Sequence, residues 1–166
     1  MVRNDFYFGI VIFRQTNDCF CVLGRNQTFS AKGLAIVYDY FKKKGYEDSE
    51  IVIIVKHIPQ LLEEDIQIIN SLDQMGVLHN CPSRFAGREL IKSDDDLFIL
   101  STAKEIGGIV LSRDQFRDNY EKMTTYRDVI KNRLLQPTFI GDILKLPDDP
   151  MGKNGPSLDN FLRFSD

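Results

Sequence analysis

Apolar positions along this chain follow two rhythms. Continuous runs of strand length recur at 8–13 (FGIVIF), 51–55 (IVIIV), 77–81 (VLHNC) and 109–112 (IVLS), the pattern of strands buried on both faces. Between them lie segments of helical period. After Ser30, Leu34, Val37, Tyr38 and Phe41 form one stripe, Lys42 to Lys44 fill the last turn, and Gly45 stops the helix. Pro59 breaks the chain, and EEDIQIINSLDQMG predicts a second helix with Ile66, Ile69 and Leu72 inward. In a third, Leu97, Leu100, Ala103 and Ile106 recur at spacings of three before Gly107-Gly108. A further helix is predicted over 126–135. TFIGDILKL, with Gly141-Asp142 between two short β-like runs, predicts a hairpin. Strands alternating with helices predict an α/β sandwich with a mostly parallel sheet, in a single domain over residues 1–166. Residues 147–166, rich in Pro and Gly, are expected to pack on it as an extended segment ending in a helical turn.

The third helix opens on three consecutive acids, Asp94, Asp95 and Asp96. One acid at a helix start caps orphan N–H groups and complements the helix dipole. Three exceed what a cap can use. The strand that follows ends on Arg113-Asp114, with Asp118 four residues further on, and a helical turn opened by Asp114 would put Asp114 and Asp118 on one face. Ligands of open α/β folds gather beyond the carboxyl ends of strands. Acids from a helix start and a strand end can therefore converge on one hard cation, Mg²⁺ or Mn²⁺; caps and solvated acids account for the same residues without one.

Composition narrows the partners. With 43% hydrophobic and 27% charged residues the chain is an ordinary globular sequence, and a net charge of -3 exerts no global pull on nucleic acid. A polyanion must be met by local cations. Lys56-His57 follows the second strand, and the stretch PSRFAGRELIK, read as a basic loop, brings Arg84, Arg88 and Lys92 directly before the acidic triplet. Cations for a phosphodiester strand beside carboxylates for a metal suit phosphoryl chemistry. Three cysteines without zinc spacing point to a reducing compartment. The opening apolar run is too short to cross a bilayer and lacks a cleavage pattern. There is no GxGxxG, Walker loop or Ser/His/Asp constellation, so phosphate binding by a Gly-rich loop is not expected.

HNCPSRFAGRE, SDDDLFI, GGIVLSRDQFRD, RLLQPTFIGD and LPDDPMGKNGPSLDNFLR together resemble the NYN domain of the Regnase (MCPIP) ribonucleases, a PIN-like branch of nucleases, over residues 8–164. The resemblance implies a PIN-like three-layer α/β/α sandwich and Mg²⁺- or Mn²⁺-dependent endoribonuclease activity. It places the family's metal-binding and catalytic acids on Asp95, Asp96, Asp114 and Asp118; beside them, the local cations Lys56, Arg84, Arg88, Lys92 and Arg113 are the expected contacts to an RNA backbone. It also implies cytoplasmic residence and a role in RNA decay or silencing. One position departs from the family: where its first strand ends in a metal-binding Asp, this sequence has Phe13, and a phenyl ring ligates no cation. Asp18, or Asn17 beside it, is the candidate substitute.

Three functions follow as expectations. The first is an endoribonuclease acting on single-stranded or stem-loop RNA. The second, motivated by Phe13, is a pseudo-nuclease that binds RNA or forms a homodimer or a heterodimer with a related NYN domain. The third is a nuclease of the same fold acting on DNA, since phosphate contacts do not read the 2′-hydroxyl.

Overall fold

The computed structural model describes residues 10–11, 31–55, 62–86, 89–92 and 94–163, with the strands at 10–11, 83–86 and 89–92 given by their backbone. Phe13, Asn17, Asp18, Lys56, His57 and Arg88 lie outside the described residues, as do the side chains of Arg84 and Lys92.

The apolar runs are strands β1 (Ile10–Val11), β2 (Ile51–Val55), β3 (Leu78–Asn80) and, later in the chain, Ile109–Leu111. The periodic segments between them are helices α1 (Ala31–Lys43), α2 (Glu63–Gln74) and α3 (Asp95–Glu105). A β-hairpin, β4 (Ser83–Ala86) and β5 (Glu89–Lys92), precedes α3, which makes Ile109–Leu111 strand β6. Helices α4 (Arg117–Lys122) and α5 (Arg127–Asn132), strand β7 (Leu134–Leu135), the hairpin β8 (Thr138–Ile140) and β9 (Ile143–Lys145), and helix α6 (Leu158–Leu162) complete the order. Gly141, at φ 60°, supplies the left-handed backbone that the tight β8–β9 connection requires.

Five strands form one sheet in the order β3-β2-β1-β6-β7, and every pairing in it is parallel. Strand β1 is central, with Ile10 level with Ile51 on one side and with Ile109 on the other. Alternate side chains sort onto two faces. Ile51, Ile53 and Val55 with Ile109 and Leu111 pack under α1 and α2 through Leu34, Val37, Phe41 and Leu72. Ile54 and Val110 pack on the opposite face against Ile99, Leu100 and Ala103 of α3 and Val129 and Ile130 of α5. Both faces are covered, which is the three-layer α/β/α arrangement. Phe161 and Leu162 of α6 join the first core, and Lys44 and Tyr46 tie this end down through Asp159 (2.8 Å) and the Leu162 carbonyl (3.2 Å). Among the described residues no helix is long and apolar enough to cross a membrane.

Three expectations are corrected. The basic stretch is a hairpin, not a loop: Ser83 pairs with Lys92 and Ala86 with Glu89, a register centred on Gly87-Arg88. Its signal, two short runs around a Gly-X pair, is present in the sequence. In α2, Ile66 is 42% exposed and Asp65 is buried in its place, because the Asp65 carboxylate accepts the N–H of Ala31 at 2.7 Å and so satisfies an orphan donor at the start of α1. The helix predicted over 126–135 ends at Asn132, and Leu134–Leu135 form an edge strand against β6. A two-residue strand carries no periodicity to read.

Arg133, 7% exposed, is held by Asp128, whose carboxylate receives its Nε at 3.3 Å and Nη2 at 2.8 Å. The guanidinium, with help from the Asn132 amide, holds the Asp128 carboxyl below the usual aspartate range. A carboxyl with a lowered folded pKa stabilises the fold above its unfolded pKa, near 3.9, and that contribution is lost as pH falls through the folded value. Because Asp128 is more than half exposed, its contribution is about 1 kcal/mol. Asp128→Asn is therefore expected to lower stability by about 1 kcal/mol at neutral pH and to flatten the acid limb below pH about 4, measured by urea denaturation across pH. Asp65→Ala, which orphans a buried N–H, is expected to cost about 1–2 kcal/mol in the same assay, and Asp65→Asn less than half of that.

Candidate active site

In an all-parallel sheet with helical crossovers, helices start where strands end, so the start of α3 and the end of β6 share the carboxyl edge. Asp94 caps α3, its Oδ1 accepting the N–H groups of Asp96 at 3.0 Å and Leu97 at 3.2 Å. One acid of the triplet is thus used for capping, and Asp95 and Asp96 follow it in the first turn.

Beyond β6 the chain turns sharply. The N–H of Ser112 donates to the Leu135 carbonyl at 3.0 Å, extending the pairing with β7. The Ser112 hydroxyl, itself buried, then accepts the N–H of Asp114 at 3.1 Å. Asp114 accepts the N–H of Phe116 at 2.7 Å, closing an Asx turn. Phe116 sits at φ 49°, ψ 38°, a left-handed conformation that an aromatic residue adopts only under constraint. The constraint is its ring, 1% exposed among Ile54, Ile99, Leu100 and Val110 in the second core. Asp114 therefore does not open a helical turn with Asp118: α4 begins only at Arg117, and the left-handed residue separates the two acids.

Helix α4 has six residues, too few to stand alone. Phe116 anchors its start. Its end is held by Arg127, whose Nε and Nη2 donate to the carbonyls of Tyr120 (2.8 Å) and Glu121 (3.2 Å), with the guanidinium 5.4 Å from the Tyr120 ring centre.

These supports shape an open cleft of about 490 Å³ lined by Asp96, Arg113, Asp114, Gln115, Phe116, Arg117, Asp118 and Asn119. The turn and α4 thus bring Asp114 and Asp118 to the same hollow as Asp96, together with Arg113. Asp95, half-buried at the start of α3, is not part of the lining. Asp118 is 86% exposed and lies 3.7 Å from Lys122 one turn on, a weak surface pair that yields readily to a ligand. Arg117 Nε donates to the Gln115 amide oxygen at 2.7 Å on the rim. Four lining residues were not singled out from sequence: Gln115, Phe116, Arg117 and Asn119. Phe116 had a signal, a lone large apolar residue inside the polar run SRDQFRDN, which marks an inward anchor. Asn119 had none.

Three acids and two arginines share this wall. Among the described residues no three His, Cys, Asp or Glu side chains come close enough to hold a metal ion between them. The described donors of the cleft suit a hydrated hard cation, which takes one or two carboxylates and fills its shell with water and phosphate oxygens.

The family model described as "Zc3h12a-like Ribonuclease NYN domain" matches residues 11–160. Among solved structures, Arabidopsis thaliana nuclear protein-only RNase P 2 superposes with a TM-score of 0.64 at 18% identity, covering 88% of this chain and 31% of that one, a likeness of fold. This chain spans less than a third of the length of that relative.

The Asx turn depends on the shape of the Asp114 side chain and not on its charge. Asp114→Asn is expected to keep the melting temperature of the wild type, and Asp114→Ala, which frees the strained N–H of Phe116, to lose about 1–2 kcal/mol in thermal or urea denaturation.

Proposed function

The chain belongs to the Zc3h12a-like ribonuclease NYN domain family, and from that membership and its acidic cleft we propose that it is a divalent-metal-dependent endoribonuclease acting on single-stranded or stem-loop RNA. The observation that carries this reading is the meeting of Asp96, Asp114 and Asp118 with Arg113 in one cleft at the carboxyl edge of the sheet. From Asp95, Asp96, Asp114 and Asp118, one or two carboxylates would bind Mg²⁺ or Mn²⁺ directly and the others through its water shell, with Asp18 as the added candidate from the loop after the first strand. When bound, the ion neutralises charge on the phosphate and activates water.

The chain's own residues supply the rest. Carboxylates alone would repel a polyanion, and Arg113 and Arg117 on the same wall offset that repulsion and hold non-bridging phosphate oxygens. Lys56, Arg84, Arg88 and Lys92 extend the contact along the strand, with an affinity that falls as salt rises. Asp114, fixed by its turn, keeps its place as substrate enters, so no reorganisation is needed at the moment of reaction. The cleft is open, which suits a single strand or the loop of a stem and disfavours a small enclosed substrate. Cytoplasmic residence and a part in RNA decay or silencing go with this reading.

Phe13 favours a second reading, a pseudo-nuclease that binds RNA or pairs with a related NYN domain. Cleavage of a labelled single-stranded or stem-loop RNA with Mg²⁺ or Mn²⁺ separates the two. The wild type is expected to cleave, and Asp96→Asn to lose at least about 100-fold in rate with an unchanged melting temperature. Unchanged cleavage in Asp96→Asn overturns the site. A silent wild type that gains cleavage in Phe13→Asp establishes the pseudo-nuclease.

A further inference from the structure

Past Arg117, the wall of the cleft continues along α4 onto an aromatic ring. Tyr120 lies three residues after Arg117, about one helical turn on and on the same side of the helix. It is 38% exposed, a large ring left in contact with water one turn from the acidic hollow. The ring is not loose. The Arg127 guanidinium sits over it, 5.4 Å from its centre, and is itself fixed by its bonds to the carbonyls of Tyr120 at 2.8 Å and Glu121 at 3.2 Å.

Holding α4 in place does not require this ring. Phe116 anchors the start of the helix, Asn119 is buried beneath it, and Arg127 ties its end through backbone carbonyls that any residue at position 120 presents. What the ring adds is a flat apolar surface of low conformational freedom, with Arg117 one turn before it and Arg127 over it. Over residues 117–127 the cations Arg117, Lys122 and Arg127 outnumber the acids, Asp118, which lies 3.7 Å from Lys122, and Glu121. The surface is therefore open to a polyanion. Cations that follow a backbone, interleaved with an exposed aromatic ring, hold single-stranded nucleic acid by a division of labour: phosphates go to the cations and bases stack on the ring.

We propose that Tyr120 is a base-stacking platform beside this cleft: the nucleotide next to the phosphate held by Arg117 lays its base on the Tyr120 ring, which Arg127 keeps in place. The inference rests on the ribonuclease reading of the cleft and extends it to the path of the strand beyond it. Tyr120 is a binding and positioning residue and takes no part in the chemical step. Every base has a π-face, so the platform selects unpaired nucleotides over a duplex and is tolerant of sequence.

The test measures binding in EDTA, so that it does not depend on metal-driven turnover. The protein is titrated with labelled oligoadenylate and with a ribose-phosphate oligomer of the same length that lacks the bases. Tyr120→Ala is expected to weaken oligoadenylate binding about tenfold, the worth of one base stacked on an aromatic ring, and to leave binding of the base-free strand unchanged. The salt dependence stays that of the wild type, because no phosphate contact is removed. Tyr120→Phe, which keeps the ring, binds as the wild type does. The chain has no tryptophan, so Tyr120→Trp places a single reporter at the position, and its fluorescence is expected to be quenched by oligoadenylate and not by the base-free strand. Where Tyr120→Ala lowers the melting temperature, this reporter decides, since it retains a ring. Equal weakening on both strands, a Tyr120→Phe protein as weak as Tyr120→Ala, a reporter indifferent to oligoadenylate, or binding of neither strand overturns the proposal. Stacking on Tyr120 in a protein that never cleaves removes the nuclease chemistry and leaves the platform standing. Metal-dependent cleavage that is lost in Asp96→Asn, with binding indifferent to Tyr120, does the reverse.

Discussion

Everything at the acidic edge depends on the parallel pairing of β1 with both β2 and β6. Because Ile10 is level with Ile51 on one side and Ile109 on the other, the strands run out at one edge of the sheet. Parallel strands need crossovers, and α1, α2 and α3 each begin at the edge where a strand has ended. The order β3-β2-β1-β6-β7 reverses direction at β1, the point where open α/β sheets leave a crevice. The start of α3 and the turn after β6 flank that point, which is why acids about twenty residues apart in sequence line one cleft. Burial of both faces fixes the arrangement: a slip of one residue in β2 would exchange Ile53 for Ile54 between cores packed by different helices.

The two rhythms of the sequence were enough for the layers, because each buried strand and each apolar helical stripe is a local pattern set by the sheet or helix repeat. What escaped was non-local or too short for a period. Nothing local marks Asp65 in the first turn of α2 as an inward residue, yet it is buried, its carboxylate accepting the N–H of Ala31, far away in the chain. Ile66 was displaced outward by the same contact. Leu134–Leu135 are two residues whose strand state depends on β6 lying alongside. The β4–β5 hairpin escaped as well, its stretch being read as a basic loop. At the site, residue types that carry charge were readable and their support was not: Asp96, Asp114, Asp118 and Arg113 came from sequence, whereas the left-handed backbone of Phe116 is a product of the core beneath it.

Phe116 shows how a stable interior positions a polar surface. A left-handed aromatic residue is unfavourable by itself, and the burial of its ring offsets that cost. The strain has a use. Phe116 turns the chain within two residues of Asp114, stands immediately before α4, and presents the N–H that holds the Asp114 carboxylate. Asp118 and Asn119 then arrive on a helix too short to form without Phe116 at one end and Arg127 at the other. The placement of three lining residues is thus paid for in the hydrophobic core.

The charges of the cleft divide the work in a way the fold alone would not require. Among the described carboxylates with clearly shifted titration, Asp48, Asp128 and Asp159 each sit against a specific cation, Lys42, Arg133 and Lys44, and serve to tie elements together. Asp96, Asp114 and Asp118 share one open hollow with two arginines. Like charges gathered in one hollow repel one another, and a fold that needed only solubility would spread them apart. Their concentration beside donors for phosphate is what a site for a cation and a polyanion requires.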